Sequence, residues 1–148
     1  MLILAPISSI IALLFAGYLA YRIMKASPGD EAMVRIQRAI QEGSDSYLKR
    51  QYTVIAVFFA IVFILLIFLS KRGYLPIFVP FAFLTGGFFS GLAGFIGMKV
   101  ATSANARTTN ACRESLNKGL RIAFSSGSVM GLTVVGLGLL DLSIWYFF

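Results

Sequence analysis

Four long stretches of the chain carry almost no charge. Apart from Asp141, the stretches are free of charged side chains, and residues 99–105 continue the third of them with mostly small side chains at helical spacing. A helix needs roughly 20 apolar residues to cross the hydrocarbon core of a bilayer. The pattern therefore predicts an all-α, polytopic membrane bundle with four transmembrane helices. We expect them over residues 2–21, 51–70, 73–105 and 122–148.

Composition supports a single membrane region over residues 1–148. Hydrophobic residues make up 58% of the chain and charged residues only 13%, whereas soluble domains average about 25% charged. So few charges cannot cover a water-facing surface, and the bilayer is the expected partner. A cleaved signal peptide is disfavoured for the first stretch, because its positive charges, Arg22 and Lys25, follow the apolar run.

The distribution of Lys and Arg predicts the orientation. Eleven of the thirteen fall in or beside two polar segments, 22–50 and 106–121, and the remaining two are Lys71 and Arg72. The positive-inside rule makes both segments cytoplasmic and places both termini outside. Because the basic residues are split between two short membrane-flanked segments, we expect anionic lipid as their partner and no nucleic acid.

The first polar segment predicts an amphipathic cytoplasmic helix between spans one and two. Ser27 is the expected N-cap and Pro28 the first helical residue. Apolar residues recur at helical spacing, at Met33, Ile36 and Ile40. We expect the helix to lie on the bilayer surface or on neighbouring loops, with a bend at Gly43 before the second span.

The second polar segment, KVATSANARTTNACRESLNKG, begins as a continuation of span three. Arg107 and Thr108 are its candidate structural contacts. Arginines beside threonines could hold a phosphate, but the closely spaced glycines of a phosphate loop are missing. We favour a structural linker.

Small residues recur at four-residue spacing in spans three and four, which indicates close helix packing. The candidate packing positions are Gly86, Gly87, Ser90, Gly91, Gly94, Gly97, Gly127 and Gly131. Span two, bulky all round, is expected to face lipid.

Catalytic chemistry is not predicted for this segment. It has no His, one cysteine (Cys112) and six scattered carboxylates, so we assign no catalytic residue and no metal ligand. Asp141 is the one charged residue inside the apolar runs 2–21, 51–70, 73–98 and 122–148. We favour a structural carboxylate over an ion relay, since it lies near the outer end of the helix.

Three strings carry a family resemblance. They are EGSDSYLKRQY at 42–52, GMKVATSANARTTNACRESLNKGLRIAF at 97–124 and GSVMGLTVVGLGLL at 127–140. They resemble the N-terminal region of membrane-bound, ion-translocating inorganic pyrophosphatases.

The resemblance implies a larger homodimeric bundle with these four helices in its outer ring. Such enzymes hydrolyse pyrophosphate with Mg²⁺, in some cases with K⁺, and move H⁺ or Na⁺ across a membrane. For this chain we expect a prokaryotic cytoplasmic membrane. Their catalytic residues lie later in the chain, so the resemblance implies an N-terminal fragment with a structural and assembly role, packed against the remaining helices. The alternative is a complete small four-span protein that acts as an accessory or assembly subunit.

Overall fold

Four long α-helices make up the part of the chain that the structure describes. The computed structural model describes residues 4–147, and no β-strand occurs within that range. The helices are α1 (Leu4–Lys25), α2 (Glu31–Lys71), α3 (Val79–Glu114) and α4 (Leu116–Phe147). The all-α fold predicted from the apolar stretches is confirmed, and each helix is long and apolar enough to cross a membrane. The ends of the first and fourth predicted spans, residues 2–3 and 148, lie outside the described residues.

Helix α3 is the centre of the arrangement. It packs against α2 on one side and α4 on the other, and α1 packs mainly against α4. Within residues 4–147, α1 and α2 make no packing contact with each other although they follow one another in the chain. The order in space is therefore α2, α3, α4, α1. The end at which α1 and α3 finish and α2 and α4 begin holds most of the Lys and Arg, and we call it the basic end.

The contact between α1 and α4 is close because small residues line it. Ser9 is fully buried, and its hydroxyl donates a hydrogen bond of 2.7 Å to the carbonyl oxygen of Gly136. A Cβ atom on Gly136 would lie 2.8 Å from the side chain of Leu13. Further towards the basic end, Ala16 and Val129 are buried in the same apolar core. Small residues here allow the two backbones to approach each other.

Helix α2 begins later than the sequence predicts. Its N-cap is Asp30, whose carboxylate accepts a hydrogen bond of 2.9 Å from the backbone N–H of Met33. The prediction of Ser27 as N-cap with Pro28 at the first helical position is thus wrong. Ser27 instead accepts from the N–H of Gly29, and Gly29 has a φ of +90° that turns the chain into the helix. Glycine adopts this conformation without steric cost.

A separate amphipathic helix is not present. Helix α2 runs through Gly43 without interruption for 41 residues, about 60 Å, or twice the thickness of a bilayer's hydrocarbon core. Gly43 therefore does not end a helix, and the predicted amphipathic segment forms the first half of α2. Ile36 and Ile40 on that half are exposed within the described bundle. The bulky residues of the second half are also largely exposed, as expected for a surface that faces lipid.

The turn between α2 and α3 shifts the start of the third helix. Gly73 has a φ of +82° and ends the helical path of α2. Helix α3 begins at Val79, with Pro80 in its first turn, where proline is tolerated. The helix thus starts six residues after the predicted span, because Gly73 and Pro76 belong to the connection.

The α1–α4 contact can be tested with one substitution at two glycines. We expect Gly136→Leu to lower the free energy of unfolding by about 2 kcal/mol, because its side chain would displace Leu13. Gly138→Leu is the control, since no atom lies within 4 Å of a Cβ placed on Gly138. Thermal unfolding in detergent, followed by circular dichroism, measures both variants. Equal loss of stability in the two variants would contradict the close contact.

Candidate functional site

Polar side chains form a continuous contact between α3 and the first half of α2. On α3 they recur at steps of three and four residues and so lie on one helix face. We call this contact the polar seam; its residues are Lys99, Ser103, Arg107, Asn110 and Arg113 on α3, facing Asp30, Gln37, Gln41, Asp45 and the end of α1. The seam lies at the basic end and joins three helices.

Arg107 is the buried cation of the seam, with only 9% of its surface exposed. Its Nε donates to the carbonyl of Ala26 at 3.1 Å, and one terminal nitrogen donates to the carbonyl of Ser103 at 2.6 Å. Longer contacts of 3.5 Å reach Gln37 on α2 and the carbonyl of Met24 on α1. One guanidinium group therefore connects α3 to both α1 and α2.

The electrostatic partners of Arg107 are backbone carbonyls, not carboxylates. Met24 lies in the last turn of α1, where helix carbonyls have no partner within the helix, and Ala26 directly follows the helix. A cation is favoured there because the helix dipole places partial negative charge at that end. Arg107 therefore caps α1 from a neighbouring helix. Thr108, the second predicted contact, is half-buried beside it and makes no side-chain hydrogen bond with the residues that the structure describes.

Two ion pairs lie at opposite ends of the seam. Lys99 is 2.7 Å from Asp45, and Arg113 is 2.8 Å from Asp30. Both pairs are about half exposed, so each contributes little free energy. The N–H of Met33 and the guanidinium of Arg113 lower the pKa of Asp30 below its usual 3.8. The contribution of the charged Asp30 to the stability of the fold is therefore complete above pH 3.8. It is lost as the pH falls through the lower pKa that Asp30 has in the folded state.

A second group of polar bonds aligns the seam between these pairs. The amide of Gln41 donates to the hydroxyl of Ser103 at 3.0 Å, and that of Asn110 donates to the carbonyl of Ser27 at 3.3 Å. Most donors of Arg107, as described above, already bind protein oxygens. The arrangement suits a structural junction better than a phosphate site, and the linker interpretation stays a prediction. Across residues 4–147 no group of three or more His, Cys, Asp or Glu side chains lies close enough to hold a metal ion.

The predicted packing positions on α3 have unequal surroundings. Gly87 lies against the ring of Phe59, and a Cβ on Gly97 would lie 2.8 Å from Met130. Gly86 faces Asp141 and Gly94 faces Tyr52, both at ordinary contact distance. The carbonyl of Gly91 accepts a hydrogen bond of 2.6 Å from Tyr52, but the position of its Cβ is open, and Ser90 is exposed.

The predicted packing positions on α4, Gly127 and Gly131, have no atom within 4 Å of their Cβ positions among the described residues. Both are exposed within the described residues. Their role in packing stays a prediction, and so does that of the open positions on α3.

Asp141 lies in α4 near the end opposite the basic end. One carboxylate oxygen faces Gly86, and the other, Oδ1, is buried with no hydrogen-bond partner among the described residues. Nearby, the indole N–H of Trp145 donates to the hydroxyl of Thr85 at 2.7 Å. The choice between a structural carboxylate and an ion relay stays a prediction.

The seam is the part of the site that sequence reasoning missed. Arg107 stood out as a charged residue in an apolar chain, but its partners were not foreseen. The available signal was a matching periodicity, since Gln37, Gln41 and Asp45 recur at four-residue steps opposite the polar face of α3. That signal identifies a face without identifying what it contacts.

The four apolar helices define a multi-pass integral membrane protein. Residues 10–148 match the family model described as inorganic H⁺ pyrophosphatase, and the chain belongs to this family.

Curated relatives show the same affiliation. The chain is 55% identical over 144 residues to a protein of Bacteroides thetaiotaomicron named "Putative K(+)-stimulated pyrophosphate-energized sodium pump". It is 42% identical over 142 residues to a "K(+)-insensitive pyrophosphate-energized proton pump" of Methanosarcina mazei, and 42% identical over 144 residues to a second such proton pump of Moorella thermoacetica. The matches cover 96–97% of this chain but only 20–21% of each relative, so the chain spans about a fifth of their length. No solved structure matches the chain.

The role of Arg107 as a cap of α1 can be tested in the chain itself. Arg107→Gln removes the charge and most of the donors, and we expect the free energy of unfolding to fall by about 2 kcal/mol. Because the segment between α1 and α2 would lose its anchor, trypsin should cut faster after Lys25. Arg38→Gln, on an exposed part of α2, removes the same charge as a control. Unchanged stability and unchanged cleavage in Arg107→Gln would show that the contact is not needed.

Proposed function

We propose that this chain is the N-terminal outer-ring membrane segment of a pyrophosphate-energised ion pump. The observation that carries the proposal is the family match over residues 10–148 combined with the coverage of only a fifth of each relative. In the whole pump, pyrophosphate hydrolysis would drive the movement of H⁺ or Na⁺. The role of this segment would be structural and would serve assembly.

The seam supports a structural role on chemical grounds. Its one buried cation is occupied by carbonyl oxygens, and its carboxylates Asp30 and Asp45 are paired with arginine and lysine. Residues that bind Mg²⁺ and pyrophosphate would then lie in the remaining part of the pump. K⁺ is a further candidate cofactor, since the names of relatives describe both K⁺-stimulated and K⁺-insensitive pumps.

The basic end would face the cytoplasm by the positive-inside rule. There the seam would hold the start of α2 and the end of α1 beside the hydrolytic site, so that Arg107 braces that side of the pump. The open glycines Gly91 and Gly131 would pack against the remaining helices, within a pump that forms a homodimer. Asp141 would serve as a structural carboxylate near the outer surface.

A chimaeric pump tests the proposal. The matching segment of the Bacteroides relative is replaced by this chain, and Mg²⁺-dependent release of phosphate from pyrophosphate is measured in membranes. We expect the chimaera to retain activity within a few-fold of the parent protein, because the replaced segment would only position the helices around the site. The 148-residue chain alone should release no phosphate.

Two results would contradict the proposal. Hydrolysis by the chain alone would place catalytic groups in it. An inactive chimaera that is inserted in the membrane at normal levels would show that the segment is not equivalent to that of the relative, and would favour a separate four-span accessory protein. Arg38→Gln in the chimaera is expected to be silent, whereas Arg107→Gln is expected to lower hydrolysis at least several-fold.

A further inference from the structure

A groove opens between α1 and α4 at the basic end, away from the polar seam. Its volume is about 630 Å³. Arg22, Asn117 and Arg121 line its half nearer the basic end, together with apolar side chains such as Leu120. Phe15 and Leu19 line the half that reaches along α1 into the apolar region, and Ser125 lies at the boundary between the halves. The groove therefore has a cationic mouth and an apolar interior.

The two arginines at the mouth lie at nearly the same height. The bond between Ser9 and Gly136 sets the register of the antiparallel helices α1 and α4. In that register Arg22 lies level with Ala123, two residues from Arg121, which is about 3 Å along the helix axis. Both guanidinium groups can therefore face a single anion.

Neither arginine is neutralised within residues 4–147. Both are exposed, and neither forms a salt bridge or donates a side-chain hydrogen bond there. The guanidinium of Arg22 lies 6.0 Å from the ring centre of Tyr18, a contact that leaves its N–H groups free. No carboxylate among the described residues lines the groove. The mouth thus carries two guanidinium groups without a carboxylate partner among the described residues. A guanidinium group can bind a phosphate through two parallel hydrogen bonds.

The apolar surface continues beyond the mouth on a second side. Phe124, which is 73% exposed, separates the groove from a neighbouring depression lined by Leu120, Ala123 and Gly127. The groove and the depression share Leu120, Phe124 and Ser128, so apolar surface extends on both sides of Phe124.

We infer that this groove binds an anionic phospholipid. The phosphate would lie between Arg22 and Arg121, with Asn117 and Ser125 as further hydrogen-bond donors, and the two acyl chains would lie on either side of Phe124. Basic pockets between transmembrane helices commonly hold anionic head groups. A free phosphate would use the arginines but not the apolar surface on both sides of Phe124, so the charge and the apolar surface together favour the lipid. This inference does not depend on the proposed function.

Native mass spectrometry of the chain in detergent tests the site. Phosphatidylglycerol is titrated in, with phosphatidylcholine of the same chain length for comparison. We expect one tightly retained phosphatidylglycerol and no comparable phosphatidylcholine. Arg22→Gln/Arg121→Gln should weaken the retained binding about tenfold. The control Arg35→Gln/Arg38→Gln removes the same two charges from exposed positions on α2 and should change binding less than twofold.

A second variant leaves the charges in place. Ser128 is exposed and lines both the groove and the depression beside Phe124, so Ser128→Phe should fill the space for the acyl chains and also reduce retention about tenfold. If Arg35→Gln/Arg38→Gln weakened binding as much as Arg22→Gln/Arg121→Gln, the effect would be one of net charge alone. That result would overturn the site. Displacement of the lipid by millimolar inorganic phosphate, with no effect of Ser128→Phe, would identify a free anion site and also overturn the inference.

Discussion

The connection between α1 and α2 depends on one buried guanidinium group. These two helices follow each other in the chain but do not pack against each other in the part that the structure describes. Arg107 on α3 supplies what they lack, since it binds the last carbonyls of α1 and the side chain of Gln37 on α2. The carbonyls at the end of a helix have no partner within the helix, and a buried cation without acceptors is costly. Each satisfies the other here, and the bonds of Asn110 to Ser27 and of Arg113 to Asp30 hold the same connection against α3.

Helix α3 is the centre of the bundle, and its two halves contact the neighbouring helices in different ways. In the apolar half, glycines such as Gly87 and Gly97 let Phe59 and Met130 approach its backbone. In the half at the basic end, polar residues replace shape complementarity with hydrogen bonds, which fix the register of α2 against α3. The α1–α4 contact also depends on small residues, Ser9 and Gly136, that let the two backbones approach each other. Close packing of small residues takes the place of the hydrophobic effect, which does not drive helix association within lipid.

Sequence reasoning found the helices because the lack of charge over about 20 residues is a local property. It also foresaw that α3 continues past the third apolar stretch. It misplaced the start of α2 because Ser27 and Asp30 are both good N-cap residues, and the choice depends on the turn at Gly29. The interruption at Gly43 was overestimated, since one glycine costs only about 1 kcal/mol in a long helix.

The polar seam could not be predicted for a different reason. It pairs residues such as Asp45 and Lys99 that are far apart in the chain, and a single sequence does not reveal which helix faces meet. The same limit applies to the glycine ridges. Their spacing indicates close packing, but it does not distinguish Gly97, which meets Met130, from Gly131, whose surroundings are open. The family relationship rests instead on specific strings such as GMKVATSANART, which need no knowledge of contacts.

Thiol cross-linking across the seam tests the account most directly. In a Cys112→Ser background, Gln41→Cys/Ser103→Cys places two thiols where the side chains now share a hydrogen bond. Gln41→Cys/Asn105→Cys places the second thiol on the opposite, exposed face of α3. With a short bifunctional thiol reagent in membranes, the account predicts rapid cross-linking within one chain for the first pair and little for the second. Equal rates for both pairs, or no cross-link in the first, would contradict the polar seam and the helix arrangement built on it.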